Sequence, residues 1–264
     1  MSTTMTLIDQ TLQHEIVSPE TWLQARRALL AKEKELTRLR DELSRMRRDL
    51  PWEKVEKSYV FDGPDGPETL ADLFAGRGQL IVYHFMFGPE WPEGCPSCSM
   101  VADHLDGSLV HLAQRDVTLI AVSRARRPQI EAFQQRMGWR FKWVSSYGTD
   151  FNRDYGVSFT SEEMAQGKVP YNYGLNAYPS EEAHGVSVFS RTESGEVVHT
   201  YSAFARGVEE LLGVYGLLDL TPKGRDEAGL PFPMAWVRHH DRYEGAVQPA
   251  KASAGSCCAA GEHR

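Results

Sequence analysis

The feature that most limits what this chain can fold into is the stretch 80–112, LIVYHFMFGPEWPEGCPSCSMVADHLDGSLVHL, where an apolar run leads through a short connection into two cysteines and a helical pattern. Residues 79–87 are apolar almost throughout, as suits a strand covered on both faces inside helical layers. Pro96 fits the first position of a helix, because its ring fixes φ and its missing N–H would have had no intrahelical partner. Val101, Leu105, Leu109 and Leu112 then recur at helical spacing, which turns one apolar face to the sheet. Cys95 and Cys98 therefore open a helix, where free N–H groups and the positive end of the macrodipole favour a thiolate over a thiol.

Three readings of the pair compete. Structural zinc needs four ligands, and the chain has no second CxxC. A buried, inert pair would pack as small hydrophobes, but Gly94 and the prolines at 92 and 96 describe a shaped, exposed loop. A CxxC opening a helix directly after a strand is a redox signature. On that reading Cys95, at the outer edge, attacks and Cys98, one turn in, resolves, with Trp91, Gly94, Pro96 and Ser97 forming the active-site loop. Glu90 and Glu93 oppose the thiolate, so the helix end wins narrowly; the expected Cys95 pKa is about 6.5–8 and the pair is expected to act as a reductant. His84 reads either as a buried proton acceptor near the thiols or as a satisfied core histidine.

The net charge of −7 and pI near 5.7 exclude the basic surplus that nucleic-acid binding needs. No stretch is long and apolar enough to span a bilayer and the first twenty residues lack a basic, apolar leader pattern, so the expected location is cytoplasmic, with reduced cysteines and no membrane contact. Ser18-Pro19-Glu20 starts a helix that Pro51 ends. Along it Trp22, Leu29, Leu36, Leu43 and Leu50 stand seven apart, with Leu39 and Met46 in the intermediate seam. Such a stripe serves either a coiled-coil homodimer or a helix laid along its own domain.

Further along, the patterns predict a strand over 55–61, a turn at 63–66, a helical piece over 70–74, a strand over 117–123, a helix over 128–138 and a parallel strand over 141–146. Residues 151–178 read as a long surface excursion, 185–189 and 197–201 as a hairpin, and 208–218 as a closing helix. The expected organisation is a helical arm (1–50), an α/β domain (51–222), an aromatic and proline-rich extension (223–245) and a disordered tail (246–264). His239, His240 and Asp241 read as a metal fragment or a solvated face. Cys257, Cys258 and His263 read as a metal-catching or electron-shuttling group, or as plain tail.

The element order resembles the thioredoxin fold. The runs YHFMFGPEWPEGCPSCS, WRFKWVSSYGTDFN, YGVSF, HTYSAFARG and WVRHHDRY resemble a bacterial thioredoxin-like family, domain of unknown function 899, often labelled dithiol-disulfide oxidoreductase. The resemblance implies a thioredoxin-like α/β fold with a central mixed sheet between helices. It also implies disulfide exchange through Cys95 and Cys98 without cofactor or metal, on a disulfide-containing protein or a small thiol substrate. A non-catalytic redox-sensing or interaction module is the alternative. Where thioredoxins carry a cis-proline, this chain has His184-Gly185. The peroxiredoxin P-x-x-x-T/S-x-x-C frame fits neither cysteine, and Val198 and His199 stand where that family has an arginine.

Overall fold

A computed structural model describes residues 14–245. Helix α1 (Pro19–Arg48) begins as the sequence predicts, the Ser18 hydroxyl accepting from the Thr21 N–H at 3.3 Å with Pro19 in the first turn. Two short strands follow, β1 (Glu53–Lys54) and β2 (Val60–Gly63), in place of the single strand expected over 55–61. β2 turns tightly into β3 (Gly66–Thr69), and a single 3₁₀ turn, Asp72–Phe74, precedes β4 (Gln79–His84). The helix after the cysteines is interrupted. α2 (Pro96–Asp106) stops at Gly107, where the Ser108 hydroxyl donates to the Leu105 carbonyl at 2.7 Å, and α3 (Leu109–Ala113) resumes the path. Then come β5 (Val117–Ser123), α4 (Arg127–Met137) and β6 (Lys142–Ser145), close to expectation.

β4, β5 and β6 run parallel, and on the far side of β4 the antiparallel hairpin β9 (Gly185–Arg191) and β10 (Val197–Phe204) completes the order β10-β9-β4-β5-β6. A parallel βαβ unit joined edgewise to an antiparallel hairpin is the thioredoxin-like arrangement. β1 extends the sheet beyond β10, and the β2–β3 hairpin extends it beyond β6. Side chains alternate across β4, so the sheet has two cores. Tyr83 and Phe85 face α2 and α4 with Cys98, Val101, Phe133 and Trp143. Leu80 and Val82 face the 3₁₀ turn with Leu73, Phe74, Ile120 and Phe189.

Residues 151–178 are not the surface excursion expected. Short helices α5 (Phe151–Asp154) and α6 (Ser161–Ala165) and a hairpin of β7 (Val169–Tyr171) and β8 (Gly174–Asn176) fold back over the end of β10. Val157, Phe159, Val169 and Tyr171 are buried there with Ala183 and Phe204. Their apolar residues come singly, too far apart for a periodicity, so burial depends on the fold-back rather than on any one element. A 3₁₀ run, Ala205–Leu211, leads into α7 (Gly213–Leu218), so the expected closing helix is α-helical only in its second half.

The two end segments pack differently. The segment 223–245 contains little regular structure beyond the turn His240–Arg242, yet it is part of the body: Val237 and His239 are 3% and 1% exposed. α1, by contrast, buries none of its residues. Its stripe is open, with Trp22, Leu29, Leu36 and Leu43 59%, 55%, 48% and 49% exposed. Its last turn is tied on by Arg47, which pairs with Glu210 at 3.3 Å and lies over the Tyr201 ring. The reading of α1 as a helix laid along its own domain therefore fails among the described residues. No helix among them is long and apolar enough to cross a membrane. The tail 246–264, with Cys257, Cys258 and His263, lies outside the described residues.

Candidate active site

Cys95 is the N-cap of α2, with Pro96 at the first helical position and Cys98 one turn in. Its N–H donates to the Met86 carbonyl at 3.0 Å, which ties the loop to the chain leaving β4. Its own carbonyl accepts from the Ser99 N–H and hydroxyl, both at 2.9 Å. The sulfur thus occupies the position from which a capping side chain accepts the first free N–H groups of a helix. The thiol pKa falls to about 7: a hydrogen bond from the Cys98 thiol is the main cause, burial opposes it, and the N–H groups of Cys98 and Ser97 and the Ser97 hydroxyl add to it. Cys98 is pushed the other way, by burial and by the neighbouring Cys95 sulfur. Half-buried Cys95 is the more acidic thiol of the pair, and buried Cys98 the less acidic.

The loop before Cys95 is held from several sides. A Cβ on Gly94 would lie 2.6 Å from Phe85 and 2.8 Å from Phe133, so no larger residue fits. The Gly94 carbonyl accepts from His239 Nε2 at 2.8 Å, which leaves Nδ1 to accept from Arg136 at 3.2 Å. Arg136 also makes two 2.8 Å bonds to Asp241 and one of 3.0 Å to Glu93, and Arg242 grips Glu93 at 2.7 and 2.6 Å. The expectation that Glu93 opposes the thiolate is thereby corrected. Although burial works against it, Arg242 and Arg136 hold the Glu93 carboxylate below its usual pKa, and its charge is matched locally. His240 turns to Asp103 at 2.7 Å, whereas His239 and Asp241 share Arg136, a cation. Among the described residues no group of three His, Cys, Asp or Glu side chains is placed to hold a metal. Trp91 braces the loop, its carbonyl accepting from Gln129 at 3.3 Å.

His84 stands apart from the thiols. It follows Tyr83 on β4 and so projects from the opposite sheet face, where Nε2 meets the Ser187 hydroxyl at 2.8 Å and the ring stacks on Tyr155. Burial, and then the nearby His199, push its pKa down to about 3. The reading of His84 as a proton acceptor beside the cysteines is therefore corrected. Tyr83 is the β4 residue on the cysteine side, and with Cys95, Cys98, Val101, Leu212 and Met234 it lines a cavity of about 500 Å³.

Residues 11–243 match the family described as bacterial protein of unknown function, DUF899. The chain belongs to that family. No curated protein sequence matches it. Among solved structures it is similar to peroxidoxin BcpB from Mycobacterium tuberculosis (13% identity, TM-score 0.41, 62% of this chain and 94% of that one). It is also similar to a peroxiredoxin Q mutant of Xanthomonas campestris (16% identity, TM-score 0.42, 65% and 98%) and to a PrxQ mutant of Xylella fastidiosa (14% identity, TM-score 0.38, 60% and 88%).

In this DUF899 protein Cys95, Pro96, Ser97 and Cys98 come together with Gly94 and Trp91 as one loop, while His84 does not join them. Sequence reasoning missed Tyr83, Arg136 and Arg242. The signal for Arg136 was a cation three residues beyond Phe133, in the last turn of the helix facing the loop.

Proposed function

We propose that this DUF899 protein is a thiol–disulfide oxidoreductase in which Cys95 attacks and Cys98 resolves. The observation that carries the reading is the opposed acidity of two thiols one turn apart at a helix N-terminus. The Cys95 thiolate attacks one sulfur of a substrate disulfide, forming a mixed disulfide and expelling the other sulfur as a thiolate. Cys98 then attacks the Cys95 sulfur, its proton passing to the departing thiolate. The substrate leaves as two thiols and the protein holds a Cys95–Cys98 disulfide, which an external dithiol must reduce. A thiol titrating near neutrality, rather than several units lower, favours the disulfide form of the protein and hence reduction of the substrate.

The test is mass spectrometry of pre-reduced protein mixed with bis(2-hydroxyethyl) disulfide. The expected product has lost two hydrogens, with Cys95 and Cys98 linked; a Cys98→Ser variant accumulates the mixed disulfide at Cys95, and a Cys95→Ser variant does not react at that loop. Oxidation of the pair without catalytic turnover in the presence of excess dithiol would instead favour a sensing module.

A further inference from the structure

We propose that the cavity against Cys95 and Cys98 binds a small, uncharged, predominantly apolar disulfide, and that the Tyr83 hydroxyl donates a hydrogen bond to the sulfur it releases. The inference rests on the thiol–disulfide reading and deepens it by naming the substrate class.

Four observations carry it. The cavity, about 500 Å³, has room for a molecule of small-ligand size, and its walls are largely apolar: Met86, Val101, Val208, Leu212 and Met234 surround the sulfurs. The two arginines at its border are already engaged: Arg225 holds Glu209 at 3.2 Å and Asp219 at 2.9 Å, and Arg206 holds Glu209 at 2.9 Å, while the Glu227 carboxylate accepts from the neutral donors Tyr215, Trp236 and the Met234 N–H at 2.7, 2.7 and 2.9 Å. An anionic ligand would lose its hydration there and meet a carboxylate rather than a free cation.

An extended peptide has nowhere to pair. β9 is bonded on both sides, to β4 and β10, and the sheet's open edges are β1 and β3. The segment entering β9 is tied inward, with the His184 carbonyl accepting from Tyr171 at 2.8 Å and the Ala183 N–H donating to Val157 at 2.8 Å. Strand addition needs a free row of such groups. Finally, the Tyr83 hydroxyl is buried with the Cys98 sulfur as its nearest acceptor, no other partner among the described residues reaching it, and the Cys98 contact falls short of full hydrogen-bond geometry. A buried hydroxyl so loosely engaged beside the reacting sulfurs is placed to donate to a sulfur that gains charge. A departing thiolate is an acceptor, and burial keeps the Tyr83 phenol protonated.

The experiment is single-turnover oxidation of the pre-reduced full chain by three probes: lipoamide, glutathione disulfide and insulin. With each rate divided by that of the same probe with free dithiothreitol, which removes the ring-strain advantage of the dithiolane, lipoamide should react about 100-fold faster, at equal low concentration, than either of the others. Tyr83→Phe, which is nearly isosteric, should lower the maximal rate with lipoamide about tenfold while leaving the half-saturating concentration within about twofold. Met234→Trp, which fills part of the cavity, should raise that concentration about tenfold or more. Insulin or glutathione disulfide reacting as fast as lipoamide on that scale would overturn the inference and leave the thiol–disulfide reading standing, as would unaltered lipoamide kinetics in both variants. Failure of all three probes to oxidise the Cys95–Cys98 pair would overturn both.

Discussion

Serine or aspartate commonly caps a helix by accepting the first free N–H groups, and at α2 the N-cap is Cys95, whose side chain closes no capping hydrogen bond. This makes the acidity of Cys95 depend on its neighbour, since the largest contribution comes from Cys98. Iodoacetamide alkylation of Cys95 should therefore titrate near pH 7 in the Cys98→Ser variant, where a hydroxyl still donates, and its rate should fall about tenfold per pH unit below that. In Cys98→Ala the midpoint should move upward. His84 yields a prediction about stability. Its pKa falls from 6.5 to about 3 on folding, so between those values the unfolded chain binds the extra proton. The stability that neutral His84 contributes is complete above pH 6.5 and is lost as pH falls towards 3. Urea unfolding at pH 7 and pH 5 should show a loss for the wild type of up to about 1.4 kcal/mol per pH unit from this group. His84→Phe should remove that component, leaving Ser187 paired with Ser202.

The elements differ in how they find partners. Strands β4 and β5 are apolar on both faces and buried on both, so their place at the centre follows from composition alone. α2 needs its partners on one face and finds them in the sheet. α1 has the stripe but not the partner: among the described residues its side-chain pairing with the rest of the fold runs through Arg47. A second copy pairing along the same seven-residue seam is the assembly that would cover it. Deleting residues 1–48 should therefore lower the mass measured by light scattering from dimer to monomer while leaving Cys95 alkylation unchanged. A full-length chain that scatters as a monomer would remove the coiled coil and leave the stripe unexplained.

Across the whole molecule, the residues that position the Cys95 loop come from distant parts of the chain. His239 bonds Gly94 and Arg242 bonds Glu93 directly, Asp241 reaches Glu93 through Arg136, and Met234 walls the cavity. Truncations should divide sharply at this boundary. Ending the chain after Gly245 removes Cys257 and Cys258 and should leave disulfide turnover within about twofold, or some 0.4 kcal/mol. Ending it at residue 222 removes buried Val237 and His239, leaves the Gly94 carbonyl and Arg136 without these partners, and should cost several kcal/mol, of order 3–5 by analogy with emptied cores and orphaned charges. Thermal unfolding of the two truncated proteins distinguishes the cases directly.

Local signals in the sequence were enough for the parts that local physics governs. The strand–CxxC–helix unit, the start of α1 at Ser18, and β5 are each specified by residues within one or two turns of one another: an apolar run, a proline at a helix start, a capping hydroxyl. The thioredoxin-like core follows from the order of those units. The tertiary structure alone decided the rest, because those contacts join residues with no periodic relation. The fold-back of 151–178 over β10 buries aromatic residues that look isolated in the sequence. The alternation of β4 sends Tyr83 to the cysteines and His84 away from them, a one-residue difference that no composition signals. Glu93 is neutralised only because α4 brings Arg136 beside the loop and a segment more than a hundred residues downstream returns Arg242 to it: proximity in charge was readable along the chain, but compensation in space required the packed core to bring its ends together.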